Sequence, residues 1–164
     1  MRKKHIISLL LVSGIVLLDR ILKVYILESF TLGEIRPLIP GLIQLTYAQN
    51  TGMAFSFLAN HPWVPLILTP IFLLILTMLI IRDKFPCIVQ RFAMVSIIAG
   101  GLANWADRIL YGFVVDMFEF TFVRFAVFNI ADIFITVGGL VFIVAYIISE
   151  ICKDRAKKAA LSDE

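Results

Sequence analysis

Four long apolar stretches divide the chain, over residues of about 6–27, 63–81, 92–111 and 128–149. Each is close to the roughly 20 residues a helix needs to cross the hydrocarbon core of a bilayer. The pattern predicts a membrane all-α bundle of four transmembrane helices. The second stretch carries no charge. The first holds Asp19, Arg20 and Lys23 in its last third, the third holds Asp107 and Arg108 near its end, and the fourth holds Asp132 near its start. An ionised carboxylate at mid-bilayer costs about 2.5–3.5 kcal/mol on insertion scales. Asp132, inside "FNIADIF", therefore calls for a reason.

The connecting segments read differently. In 28–62, "EIRPLIPGL" has turn punctuation at Pro37, Pro40 and Gly41. "IQLTYAQ" alternates apolar and polar positions, as a half-buried strand does, and "NTG" at 50–52 ends the alternation. A small sheet on the membrane surface is predicted, so the fold class is a four-helix membrane bundle with a small extracytoplasmic β-containing subdomain. "FSFLANHPW" reads as an interfacial segment. Segment 112–127 reads as a short loop carrying Asp116, and the tail from about 150 to 164 as a solvated helix end or a disordered stretch. The start, "MRKKH" and then "IISLLLVSGIVLL", has the outline of a secretory signal. No small-x-small cleavage site follows, and the run continues into "DRILKVYIL", so an uncleaved first span is expected. The whole of 1–164 is expected to be one membrane-embedded domain.

Composition agrees with this class. The chain of 164 residues is 60% hydrophobic and 16% charged, against about 25% charged in a typical soluble domain. A net charge of +3, much of it in loops, does not suggest nucleic-acid binding. Two cysteines and two histidines are too few for a Cys/His zinc cage or a disulfide framework. Arg2, Lys3 and Lys4, then Arg82, Lys84 and Arg91, then Lys153, Arg155, Lys157 and Lys158 lie on one side of the four spans, against Arg36 and Arg124 on the other. By the positive-inside rule both termini are cytoplasmic. That orientation brings Asp19, Asp107, Asp116 and Asp132 to one level near the outer face.

Asp19 and Lys23 are four apart, acid first, the favourable order for an ion pair on a helix. Asn104, Asp107 and Arg108 share one helix face, and Gly100, Gly101 and Ala103 allow a neighbouring backbone close. Asn129 and Asp132 are three apart. Two carboxyl groups close together in low dielectric do not both ionise easily, so one keeps a proton while the other serves as a base. Asp116 and Asp132 as such a pair would activate water for attack on an amide with no metal, cofactor or covalent nucleophile. Two other classes compete: a proton-coupled transporter or channel using Asp132, and a metal-dependent lipid phosphotransferase, which needs acids clustered to hold Mg²⁺.

"LDRILK" at 18–23, "QNTGMAF" at 49–55, "GGLANWADR" at 100–108, "VVDMF" at 114–118 and "FNIAD" at 128–132 follow in order. In motif order and four-span layout the chain resembles the bacterial lipoprotein signal peptidases, or signal peptidase II, which are intramembrane aspartic endopeptidases. The resemblance implies that Asp116 and Asp132 are the catalytic pair. It implies that Asn50, Gly52, Asn104, Asp107, Arg108 and Asn129 position substrate or inhibitor, with Asp19 and Lys23 as polar support. The implied substrate is a prolipoprotein with a diacylglyceryl-modified cysteine, cut on the amino side of that cysteine. The implied inhibitor is the cyclic peptide globomycin, and membrane lipids are the implied surroundings. Two positions depart from the family pattern: Arg20 stands where Gln is common, and Ala103 where Gly is common.

Overall fold

The computed structural model describes residues 3–52, 63–85 and 87–162. The expected interfacial segment at 55–63 lies, except for Trp63, outside the described residues. The elements are helix α1 (Lys3–Ser29), strands β1 (Ile35–Ile39) and β2 (Ile43–Asn50), helices α2 (Trp63–Ile81) and α3 (Ile88–Tyr111), strand β3 (Val114–Phe120) and helix α4 (Ile130–Ser162). All four helices are long and apolar enough to cross a membrane. Helices α1 and α3 extend beyond the expected spans, α2 keeps the expected bounds, and α4 starts two residues later than expected and carries the tail on as helix to Ser162.

The bundle is polar inward and apolar outward. On α1, Ser8, Ile15, Asp19, Lys23 and Ile26 are buried, while Leu9, Leu10, Leu17, Ile21 and Tyr25 are exposed. The buried positions recur at helical spacing, so this face turns polar groups away from lipid. Helix α3 is the most enclosed, packing against α1, α2 and α4. Its small residues make that possible. A Cβ on Gly100 would come within 2.4 Å of the Ala131 carbonyl oxygen, and one on Gly101 within 2.7 Å of Leu73. Ala103 is buried at the same surface.

Helix α3 ends at Gly112, whose left-handed backbone (φ 79°) lets its N–H donate to the Arg108 carbonyl. Glycine takes this conformation without Cβ strain. The chain therefore turns sharply and enters β3 two residues later. Here the structure corrects the sequence reading: Asp116 lies in a strand, not a loop. Val114 through Met117 are buried, so both faces are covered there and the period-2 signal of a half-exposed strand is absent. The sheet is antiparallel in the order β1-β2-β3, and Ala48 faces Asp116. "EIRPLIPGL" is also more than a turn. Pro37 sits in edge strand β1, where proline is tolerated. The turn proper is Ile39–Leu42, closed by the Leu42 N–H on the Ile39 carbonyl at 3.0 Å, with Gly41 at φ 75°.

Two apolar clusters fix these elements. Ile26 and Phe30 pack under the sheet against Tyr47, Val115 and Met117, and Leu76 and Ile80 pack on Met94 and Val95. At the far end of the bundle Arg91 is buried, donating to Ser8 Oγ, the Ile80 carbonyl and Asp83, with His5 Nδ1 at 3.2 Å.

Gly100→Ala is expected to destabilise the bundle by about 1–3 kcal/mol through overpacking on the Ala131 backbone. A Cβ on Gly139 meets nothing within 4 Å, so Gly139→Ala is expected to be neutral. Thermal unfolding of both variants in the same detergent measures the difference.

Candidate active site

The two aspartates meet where β3, α3 and the start of α4 converge. Before α4, the chain pairs with β3: Phe128 accepts from the Met117 and Phe118 N–H groups at 2.9 and 2.7 Å and donates to the Phe118 carbonyl at 2.9 Å. This bridge sets Asn129 beside Asp116. Asn129 Nδ2 donates to Asp116 Oδ1 at 2.6 Å.

Asn129 is not on a face of α4, as its spacing from Asp132 suggests. It precedes the helix as its N-cap. Its Oδ1 accepts the Asp132 N–H at 2.9 Å, and Asp132 Oδ2 accepts the Asn129 N–H at 3.2 Å. The arrangement is a capping box, with Asp in place of the usual Glu or Gln. Asp132 thus sits in the first turn of α4, where the helix dipole favours negative charge. Asn104 Nδ2 donates to its other oxygen, Oδ1, at 2.8 Å. Asn50 Nδ2 holds Asp116 Oδ2 at 3.0 Å. Each carboxyl group is therefore fixed by amide donors on both of its oxygens, and Asn129 touches both groups.

Asp116 is 2% exposed. Burial, then the neighbouring charge of Asp132, push its carboxyl up to about 7, while hydrogen bonds from Asn50 and Asn129 and the charge of Lys23 pull the other way. At neutral pH this group is poised between its two forms, as a general acid or base needs to be.

Asn50, Asn104, Arg108 and Asp132 form the polar end of a cavity of about 490 Å³ between α2, α3, α4 and the 125–128 segment. Its remaining wall is largely apolar, with Pro65, Val114, Phe120, Phe125, Phe128, Ile133 and Ile135 among the lining residues. Arg108 donates to the Gly52 carbonyl at 2.6 Å and to the Asn104 carbonyl at 3.3 Å. Gly52 in turn donates its N–H to Asn50 Oδ1 at 3.0 Å. Arg108 and the 50–52 turn thus brace each other beside the cavity. Among the described residues, Arg108 Nε is buried without a partner.

Asp107 departs from the grouping its spacing suggests. It does not line the cavity. It faces α1, with Oδ2 at 2.8 Å from Lys23 Nζ and Oδ1 at 3.1 Å from Arg20. Lys23 is also paired with Asp19 at 2.8 Å and donates to Asn104 Oδ1 at 2.9 Å. Arg20, where the resemblance expects Gln, finds two partners, Asp107 and the Tyr111 hydroxyl. Sequence reasoning passed over Tyr111, which lies four positions after Asp107 on the same helix. Among the described residues no three His, Cys, Asp or Glu side chains converge as a metal ion would require.

Within the bundle of spanning helices, α2, α3 and α4 frame an apolar cavity with Asp132 at its polar end, while Asp116 is buried outside the cavity lining and is joined to Asp132 through Asn129; comparison with known proteins gives this arrangement a family. The family model for signal peptidase (SPase) II matches residues 11–148. The chain is 37% identical over 149 residues to the lipoprotein signal peptidase of Streptococcus pneumoniae (strain ATCC BAA-255 / R6), covering 91% of this chain and 97% of that protein. It is 36% identical over 143 residues to that of Streptococcus pyogenes serotype M5 (strain Manfredo), covering 87% and 92%. Among solved structures, a bacterial membrane enzyme determined in meso at 2.3 Å superposes with a TM-score of 0.83 at 30% identity, over 87% of this chain and 88% of that one. A second, at 1.9 Å, gives 0.78 at 30% identity, over 85% and 91%. The chain belongs to the signal peptidase II family. It is a peptidase, and membership leaves the transporter reading without support.

Asn129→Ala removes the cap of α4 and a hydrogen bond that favours ionised Asp116. It is expected to cost about 1 kcal/mol of stability and to move the Asp116 midpoint above about 7. Carboxyl ¹³C NMR titration of labelled protein reads the midpoint directly.

Proposed function

We propose that this chain is an aspartic endopeptidase that removes signal peptides from diacylglyceryl-modified prolipoproteins, cutting on the amino side of the lipidated cysteine. The single observation that carries the reading is the bridging of Asp116 by Asn129 to Asp132, which lies at the polar end of an apolar cavity. Family membership supports the substrate class.

In this mechanism one aspartate is ionised and the other protonated. The ionised carboxylate takes a proton from water, and the water oxygen bonds to the scissile carbonyl carbon. The protonated partner gives its proton to the carbonyl oxygen. The tetrahedral diol then collapses: the aspartate that took the water proton gives it to the amide nitrogen, a diol hydroxyl gives its proton to the other aspartate as the C=O re-forms, the C–N bond breaks, and the pair again holds one proton. Asn50, Asn104 and Asn129 hold both carboxyl groups in place. The apolar wall takes the acyl chains, which sets the peptide bond at the depth of the pair. Positioning of this kind supplies much of a rate enhancement. Arg108 and Gly52 contact the peptide at the mouth, and globomycin competes for the same cavity.

The charge distribution supports an orientation with both termini in the cytoplasm and the site at the outer face of the bacterial cytoplasmic membrane. Cys87 and Cys152, half-buried and exposed respectively, are then cytoplasmic. An impermeant thiol reagent added outside intact cells is expected to label neither, and clear labelling of either reverses the orientation.

Asp116→Asn and Asp132→Asn are each expected to lower cleavage of a lipid-modified precursor about 100-fold or more, with the protein still inserted in the membrane. A gel assay with purified enzyme in detergent measures this, and near-wild-type cleavage by either variant removes the pair from the mechanism. In the same assay a precursor without the diacylglyceryl group is expected to be cut poorly or not at all. Equal rates would make the chain a general membrane peptidase.

A further inference from the structure

Lys23 is 0% exposed, and three acceptors surround its ammonium group: Asp19, Asp107 and Asn104. Each of the two carboxylates has a second task. Asp19 Oδ1 accepts the N–H of Ala131 at 2.9 Å, and Asp107 Oδ2 accepts the N–H of Val115 at 3.2 Å. Ala131 and Val115 are the residues immediately before Asp132 and Asp116. One ammonium therefore ties down the backbone next to both members of the pair, through one carboxylate for each. Arg20 closes the assembly from outside. It donates to Asp107 and to the Tyr111 hydroxyl, with its guanidinium 5.0 Å from the Tyr111 ring centre.

The charges also balance. Among the described residues, the charged groups gathered around the pair are Asp19, Arg20 and Lys23 from α1 and Asp107 and Arg108 from α3. The pair itself comes from β3 and the first turn of α4. Three cations face four carboxyl groups, so the assembly is neutral when the pair holds a single proton. In a low-dielectric site neutrality is strongly favoured. A merely structural ion pair would need neither the match to the pair's working state nor the two contacts to the preceding amides.

We propose that Asp107 and Arg20 are positioning residues for cleavage: with Lys23 and Asp19 they hold the backbone ahead of both aspartates and fix the pair at one proton. This rests on the aspartate pair proposed above.

The test is the pH profile of kcat/KM on a lipid-modified precursor, with intact purified enzyme in detergent. Arg20→Gln removes a positive charge and is expected to move both limbs to higher pH, by about half a unit to one unit. Asp107→Asn keeps an oxygen for the Val115 N–H but removes a negative charge, and is expected to move them to lower pH by about as much. Arg20→Lys is expected to restore the wild-type profile. A loss of rate in both charge variants with no movement of either limb, or movement in the same direction, overturns the proposal. If Asp107→Asn does not fold, the Arg20 pair decides alone. That side chain is 34% exposed, and a shift with Gln that Lys reverses supports the clamp, while an unmoved profile overturns it. Asp116→Asn is run alongside: cleavage by that variant removes the pair itself, whereas an inactive Asp116→Asn with unmoved Arg20 profiles removes only the clamp.

Discussion

The buried ammonium of Lys23 is the interaction on which the outer half of this molecule depends. Taking a charge out of water costs several kcal/mol, and a partner repays this only with good geometry and all donors used. Here two carboxylates at 2.8 Å and an amide oxygen at 2.9 Å meet that condition. The partners come from α1 and α3; the second oxygen of Asp19 reaches α4, and the Asp107 oxygen that meets Lys23 also accepts from β3. An ion pair of this kind contributes little net stability against an apolar substitute, but breaking it by removing one partner costs about 3–5 kcal/mol. Its effect is to allow only one relative placement of three helices and a strand.

That placement makes Asp132 tolerable. Its carboxyl is in the first turn of a helix, completes a capping box, and accepts from Asn104. The local interactions of a helix N-terminus and an amide donor take over what water would have supplied. Asp116 reaches the same place from the other direction, along a strand whose end is covered on both faces. The two meet because Phe128 pairs with β3 before α4 begins.

The spans and the identity of the polar residues were legible in the sequence because apolar runs and isolated charges are local signals. What joined them was not. "VVDMFEF" shows no alternation, since Val114 to Met117 are buried on both faces, so β3 reads as loop. "EIRPLIPGL" reads as turn because edge-strand prolines and turn prolines look alike. The spacing of Asn129 and Asp132 fits a helix face and a capping box equally well. Only the bridge at Phe128, a long-range contact, selects the cap. Asp107 is grouped with Asn104 and Arg108 by spacing, yet it faces Lys23 and Arg20 and stays out of the cavity that the other two line. The Arg20–Tyr111 contact joins residues 91 positions apart, and no local pattern announces it.

The two ends of the bundle differ in a way that bears on chemistry. At the far end Arg91 is buried among matched partners: a hydroxyl, a carbonyl, Asp83 and the ring nitrogen of His5. Lys4 adds a second cation to Asp83 at 2.5 Å. That cluster locks α1 to the turn between α2 and α3. The Asp116 end is different. Among the described residues carboxyl groups exceed cations by one, and Asp132 of the pair lies at a cavity wall. A surplus carboxyl in low dielectric must carry a proton, and the only groups there free of a direct cation partner are Asp116 and Asp132, among the contacts described. The same rule of burial, that charge be neutralised, thus gives a structural tie at one end and, in the proposed mechanism, a proton-holding pair at the other.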